Sequence, residues 1–332
     1  MNNTTEFLPK REKLRLLFAH AAYDMKPIFD GMETGIETIQ VSNYEDLKSR
    51  LPEADVLVAS GLWKNELLEH APKLKYLQSV SAGTNQYDTT AFKARGIMLA
   101  SGSGVNMNAV SDHAMALTLS LTRRIAFARD NQGKQSWRKE QRDPAAREDE
   151  LPGKTMIVVG TGNIGNRIIR LARAFDMHVI GVRRNIAAGA GAGAGAANEV
   201  HPFTALKSLL PQADVLVLSC PLTDETRNLI DREALSLMKP TAILVNVARG
   251  GCVDEDALIE ALEEGRIAGA GLDVTKIEPL PQESKLWTLP NVMLTPHSAG
   301  ETKKYELNVL DILNENLDKL FGGSDALRNR VI

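Results

Sequence analysis

Cysteine is almost absent: Cys220 and Cys252 are the only two in 332 residues. A disulfide-built scaffold is excluded. Both stand beside apolar strand-like sequence, so reduced, buried thiols are expected, although counting alone leaves one disulfide open. Aromatic residues are few, at 5%, and runs of Leu, Val, Ala and Ile carry the apolar content in the manner of buried parallel strands. No apolar run is long enough to span a bilayer, and the polar start, Met1 to Lys13, lacks the apolar core of a signal peptide. Neither sign of charge dominates, with 39 basic and 42 acidic side chains and a formal net charge of −3. Neither a nucleic-acid footprint nor a membrane-binding basic face is indicated. A soluble, cytoplasmic protein with no nucleic-acid, membrane or metal partner is expected.

The length suits two domains better than one core. Strand-like segments at 14–18, 37–40, 55–60, 73–80 and 97–100, with a helix at 44–50, predict a first parallel sheet with crossover helices that ends near residue 103. A long apolar helix is expected over 110–126. Residues 131–150 are charged and irregular apart from Trp137 and read as an exposed arm. The alternating Ala/Gly stretch at 187–197 reads as a flexible surface loop. Further helices are expected at 203–210, 231–238 and 254–264, and strands at 214–220, 241–247, 267–274 and 291–295. The amphipathic tail, 301–320, can cover the first sheet and make that domain discontinuous. The expected fold is therefore α/β, with two Rossmann-like doubly wound parallel-sheet domains and a cleft between them. A substrate-binding domain would comprise 1–103 plus 301–332, and a dinucleotide-binding domain 104–300.

The stretch from Gly153 to Arg184 organises this reading. A strand at 156–159 runs into Gly160-Thr-Gly162-Asn163-Ile164-Gly165, then a helix with Ile164, Ile168, Leu171, Ala172 and Phe175 at helical spacing, then a strand at 178–182. Gly160 permits the sharp turn, Gly162 admits a pyrophosphate close to the backbone, and Gly165 lets the helix pack on its strand. The helix start then offers N–H groups to phosphates. An NAD site places an acid about 20 residues further on, but Arg183 and Arg184 stand there. Two guanidinium groups suit a 2′-phosphate, so NADP(H) is the preferred cofactor and NAD(H) the alternative.

Arg249, Glu278 and His297 each follow a predicted strand, at the edge where such sheets bind ligands. Together they suit hydride transfer to a 2-keto acid. Arg can clamp the carboxylate and polarise the ketone, His can donate and recover the proton, and Glu can orient and charge the His.

Several ordered motifs resemble the D-isomer-specific 2-hydroxyacid dehydrogenase family: Gln78-Ser-Val-Ser-Ala-Gly83, Leu151-Pro-Gly-Lys-Thr155 with the glycine turn, Pro221-Leu-Thr-Asp-Glu-Thr226, Val245-Asn-Val-Ala-Arg-Gly-Gly-Cys-Val-Asp-Glu255, Gly269-Ala-Gly-Leu-Asp-Val274, Glu278-Pro-Leu-Pro281 and Asn291-Val-Met-Leu-Thr-Pro-His-Ser-Ala-Gly300. The resemblance implies reversible reduction of a 2-keto acid to the D-2-hydroxy acid, with Arg249 on substrate, His297 as acid–base residue and Glu278 as its partner. It further implies that the backbone of Ser81, Ala82 and Gly83 binds the substrate carboxylate and that Asp273 contacts the nicotinamide carboxamide. Gly160, Gly162, Asn163, Ile164, Gly165, Arg183, Arg184, Pro221, Val247, Ala248 and Gly300 complete the cofactor cleft, and a homodimer built around the long helix and the Trp137 arm is expected. Arg183 stands where NAD-dependent relatives have Asp, Asp112 where Glu is usual, and Thr275 and Lys276 where an aromatic and an acid are common. A non-enzymatic, nucleotide-sensing corepressor-like scaffold is the alternative from another class.

Overall fold

The computed structural model describes residues 7–186 and 197–332. Of the Ala/Gly stretch, 187–196 lie outside the described residues. The chain divides into two compact units, Met1–Asn106 with Thr302–Ile332, and Met107–Glu301.

The first unit is a five-stranded, all-parallel sheet. Its strands are β1 (Arg15–Ala19), β2 (Glu37–Val41), β3 (Val56–Ala59), β4 (Tyr76–Ser79) and β5 (Met98–Ala100), in the order β2-β1-β3-β4-β5. Strands β3 and β4 are buried on both faces, which is why they read as continuous apolar runs. The C-terminal helix Tyr305–Phe321 covers one face. Its Val309, Leu310, Leu313 and Leu317 pack with Leu16, Phe18, Val56 and Val58. Trp63, which in the sequence reads equally as a substrate-facing loop residue or as packing, is core: it is 4% exposed and packs edge-on to Phe92 at 5.4 Å.

The second unit carries seven parallel strands: β6 (Thr155–Val159), β7 (His178–Arg183), β8 (Glu199–Pro202), β9 (Val215–Leu218), β10 (Ile243–Asn246), β11 (Gly269–Leu272) and β12 (Val292–Leu294). Their order is β12-β11-β10-β9-β6-β7-β8. The direction of winding reverses between β6 and β9, so the crevice at a doubly wound switch point opens beside the glycine turn. Neither sheet departs from the α/β, Rossmann-like class.

Three local expectations are corrected. Strand β8 was not anticipated, because Glu-Val-His-Pro has no apolar run; an edge strand buries little and tolerates a terminal proline. The long helix spans Met107–Thr122 rather than 110–126. It is broken by Arg124 in the left-handed region (φ 52°), and a second helix, Ile125–Gly133, begins what was read as an irregular arm. The break is held by the returning chain: the Asp149 N–H bonds to the Thr122 carbonyl at 2.9 Å, and Arg124 donates to the Ala146 carbonyl at 2.8 Å. The segment at 203–210 is a single turn of α-helix between two 3-10 turns.

Candidate active site

In an all-parallel sheet every strand ends on the same side. The turns after β6, β7, β9, β10, β11 and β12 therefore bring Gly160, Arg183, Pro221, Ala248, Asp273 and His297 to one edge of the second unit.

The turn after β6 is built by what glycine lacks. Gly160 has φ +95°, and a Cβ there would sit 2.7 Å from the Cys220 nitrogen. At Gly165 a Cβ would meet the Gly160 carbonyl oxygen at 1.8 Å, so any side chain would push the helix Asn163–Ala174 off its strand. Gly162, the residue preceding that helix, has nothing within 4 Å of its would-be Cβ. That open space in front of helix N–H groups fits a pyrophosphate. A groove of about 400 Å³ continues from it, lined among others by Thr161, Arg183, Arg184, Phe203, Pro221 and Thr223. Arg183 Nε donates to the Asn185 carbonyl at 2.6 Å, and Arg184 pairs with Glu225 at 2.6 Å. Phe203 and Thr223 were missed in the sequence because only the folded sheet brings them to this groove. Cys220 and Cys252 are both free and buried. The Cys252 side chain hydrogen-bonded to it, and then burial, push the Cys220 thiol up, so it lines the groove in its neutral form.

At the other end of the sheet, His297 Nδ1 and Glu278 Oε2 lie 2.6 Å apart. A carboxylate only accepts, so Nδ1 carries the proton and Nε2 is left as the working nitrogen. The second Glu278 oxygen accepts the Thr275 backbone N–H at 3.0 Å. Any residue except proline supplies that bond, so the unusual Thr275 and Lys276 leave Glu278 anchored. Arg249 lies on the neighbouring turn. A Cβ on Gly250 would come within 1.9 Å of the Thr275 carbonyl oxygen, so this glycine lets the arginine turn pack against the glutamate loop. The Arg249 guanidinium donates to its neighbour's carbonyl, that of Ala248, at 2.6 Å. No hydrogen bond joins it to His297 or Glu278 among the described residues. A cavity of about 650 Å³ adjoins the pair, lined by His297, Glu278, Asp273, Leu280, Trp287 and Leu294.

His297 itself has φ +52°, uncommon for a residue with a Cβ. A buried clasp enforces it. Asp273, 2% exposed, accepts from Thr295 Oγ1 at 2.7 Å, Ser298 N at 2.9 Å and Ala299 N at 3.1 Å, while its carbonyl accepts from His297 N at 2.8 Å. Sequence reasoning placed Asp273 at the cofactor and missed this structural task. The signal was available only as an acid in an otherwise apolar strand end.

In the first unit, Ser81, Ala82 and Gly83 follow β4. Ser79 Oγ donates to the Ser81 carbonyl at 3.0 Å, Ser81 Oγ to the Gly83 carbonyl at 2.9 Å, and Gly102 N to the Ser81 carbonyl at 2.8 Å. The loop is pinned by its oxygens. Among the described residues nothing accepts from its three N–H groups. His20, at the end of β1, stacks on Tyr23 at 4.3 Å, and Tyr23 stacks on Tyr305 at 4.5 Å. Its Nδ1 accepts the N–H groups of Ala22 and Tyr23, and burial holds its pKa down.

A glycine turn at the switch point of a parallel sheet, with a His–carboxylate pair further along the same carboxyl-end edge, defines a dinucleotide-binding oxidoreductase-type site. A family model described as D-isomer specific 2-hydroxyacid dehydrogenase, NAD binding domain, matches residues 115–299. The glyoxylate reductase of Pyrococcus furiosus is 38% identical over 82% of this chain and 81% of its own length. Among solved structures, a D-isomer specific 2-hydroxyacid dehydrogenase family protein from Aeromonas salmonicida superposes with a TM-score of 0.80 at 29% identity, covering 96% of this chain and 99% of that one. An acyclic imino acid reductase in complex with NADPH and D-Arg gives 0.76 at 25% identity, over 96% of this chain and 100% of that one. The chain belongs to the D-isomer specific 2-hydroxyacid dehydrogenase family and is an oxidoreductase of that family. Among the described residues no helix is long and apolar enough to cross a membrane, and no group of side chains is arranged to hold a metal.

Proposed function

We propose that the chain reduces a small 2-keto acid to the D-2-hydroxy acid, reversibly, with NADPH as the preferred cofactor. The observation that carries this is the 2.6 Å His297–Glu278 pair, which leaves Nε2 as the proton-transferring atom. The Gly160–Gly165 turn would hold the nicotinamide cofactor, which would supply the hydride for the carbonyl carbon. His297 Nε2–H donates its proton to the carbonyl oxygen, which becomes the hydroxyl, and Glu278 orients the ring through Nδ1. Arg249, on the turn after β10, clamps the carboxylate and polarises the ketone. The uncommitted N–H groups of Ser81, Ala82 and Gly83 support a second carboxylate contact. Val247, Ala248, Pro221 and Gly300 form cofactor walls.

The preference for NADPH rests on Arg183 and Arg184 at the end of β7 and is supported by the NADPH complex of the imino acid reductase. Glyoxylate is a candidate substrate by analogy with the Pyrococcus furiosus relative, beside hydroxypyruvate and pyruvate. Steady-state rates with NADPH and NADH on a panel of 2-keto acids test the reading; absence of turnover with both cofactors would favour a binding scaffold. Exposed Ile125, Phe127 and Trp137 support a homodimer through that face. Sedimentation velocity at micromolar concentration should show two copies, and a monomer contradicts this.

A further inference from the structure

We infer that His113, on the helix Met107–Thr122, is a positioning residue for His297, acting through Thr295 and the buried carboxylate of Asp273. The inference rests on reading His297 as the acid–base group. His113 Nε2 lies 2.8 Å from Thr295 Oγ1, and Thr295 Oγ1 lies 2.7 Å from Asp273 Oδ1. A threonine hydroxyl has one proton, and the carboxylate can take hydrogen bonds only by accepting. The hydroxyl proton therefore goes to Asp273, and His113 must donate from Nε2. The carboxylate thus sets the direction of the chain of bonds, and His113 completes it as the donor that orients the Thr295 hydroxyl.

The same Asp273 oxygen receives the N–H groups of Ser298 and Ala299. The His297 N–H bonds to the carbonyls of Asp273 at 2.8 Å and Thr295 at 3.0 Å. The catalytic loop is closed around one carboxylate on both sides of His297, whose left-handed backbone relaxes if the closure loosens. Relaxation would carry the imidazole away from Glu278 and from the reacting oxygen. Without His113 the Thr295 hydroxyl loses the donor that orients it, and its bond to Asp273 is no longer imposed. His113 Nε2 also stands 3.7 Å from Asp273 Oδ1 itself. None of this requires His113 to touch substrate or cofactor.

The test compares His113→Leu, which removes the donor, with His113→Gln, whose amide can donate from a similar reach. For His113→Leu, kcat should fall about tenfold, as expected for a misplaced catalytic group. KM for keto acid and NADPH should stay within about twofold, and the solvent deuterium isotope effect should rise as proton transfer becomes slow. His113→Gln should recover most of the rate at an unchanged melting temperature. In the cofactor-free protein, nitrogen NMR of the His113 ring should find its proton on Nε2. Should His113→Leu not fold, Thr295→Val against Thr295→Ser reads the same chain, with the loss expected only in Val. Wild-type kcat in His113→Leu, no recovery with Gln, or a ring proton on Nδ1 overturns the inference. A His297→Asn control separates the two readings. If it keeps wild-type kcat, the acid–base assignment falls; if it is slow while His113→Leu is fast, only the positioning role falls.

Discussion

Two turns on one sheet, Gly160–Gly165 after β6 and Thr295–Gly300 after β12, solve opposite problems in opposite ways. The first works by absence: with no side chains at Gly160 and Gly165, backbone packs where a single Cβ would overlap it. The second works by presence, because one buried carboxylate gathers the donors of Thr295, Ser298 and Ala299 and holds a histidine in a backbone shape it would otherwise avoid. A binding turn must admit a ligand against the backbone, whereas a catalytic turn must aim one side chain. Under the proposed function, conformational freedom would serve recognition and enforced strain would serve chemistry.

The contrast can be broken from either side. The largest effect is expected for Gly165→Ala, whose Cβ would meet the Gly160 carbonyl oxygen at 1.8 Å. The helix must shift, so nucleotide binding by fluorescence titration should be abolished and stability in urea lowered by about 3 kcal/mol, the upper range for overpacking. Binding close to wild type would mean that the turn is not the pyrophosphate cradle. Asp273→Ala leaves several donors of the His297 loop without their acceptor. It should lower stability by about 2–3 kcal/mol and kcat by about 100-fold, readable by urea denaturation and steady-state assay. Intact kcat would dissolve the clasp argument. The smallest effect is expected for Arg183→Ala, with KM for NADPH raised about tenfold, the scale of one lost charge-assisted contact, and KM for NADH nearly unchanged. Equal changes in both would remove the phosphate-clamp argument.

Legibility in the sequence follows the same division. The glycine turn could be read from spacing because glycine's role is local, and the buried strands because parallel strands are apolar on both faces. The His297–Glu278 pair was reachable because both residues follow strand ends, although 19 residues of chain separate them. What could not be read is whatever depends on contact between distant segments. The task of Asp273, the support from His113 and the groove wall at Phe203 and Thr223 all arise only when segments far apart in the chain, 22 residues for Asp273–Thr295 and 182 for His113–Thr295, become neighbours. Trp63 shows the converse: an aromatic residue in a loop reads equally as a ligand contact or as packing, and the fold makes it core. The helix break at Arg124 was hidden because the residues around it, Leu-Thr-Arg-Arg-Ile, carry no glycine or proline to announce it.

The division between a turn that binds and a turn that reacts is tested most directly by His297→Ala, measured twice on one preparation: NADPH affinity by fluorescence titration, and the single-turnover rate of NADPH oxidation with a saturating 2-keto acid. Affinity should stay within about twofold of wild type while the rate falls about 100-fold or more. A rate near wild type, or an affinity that falls in step with the rate, contradicts the account.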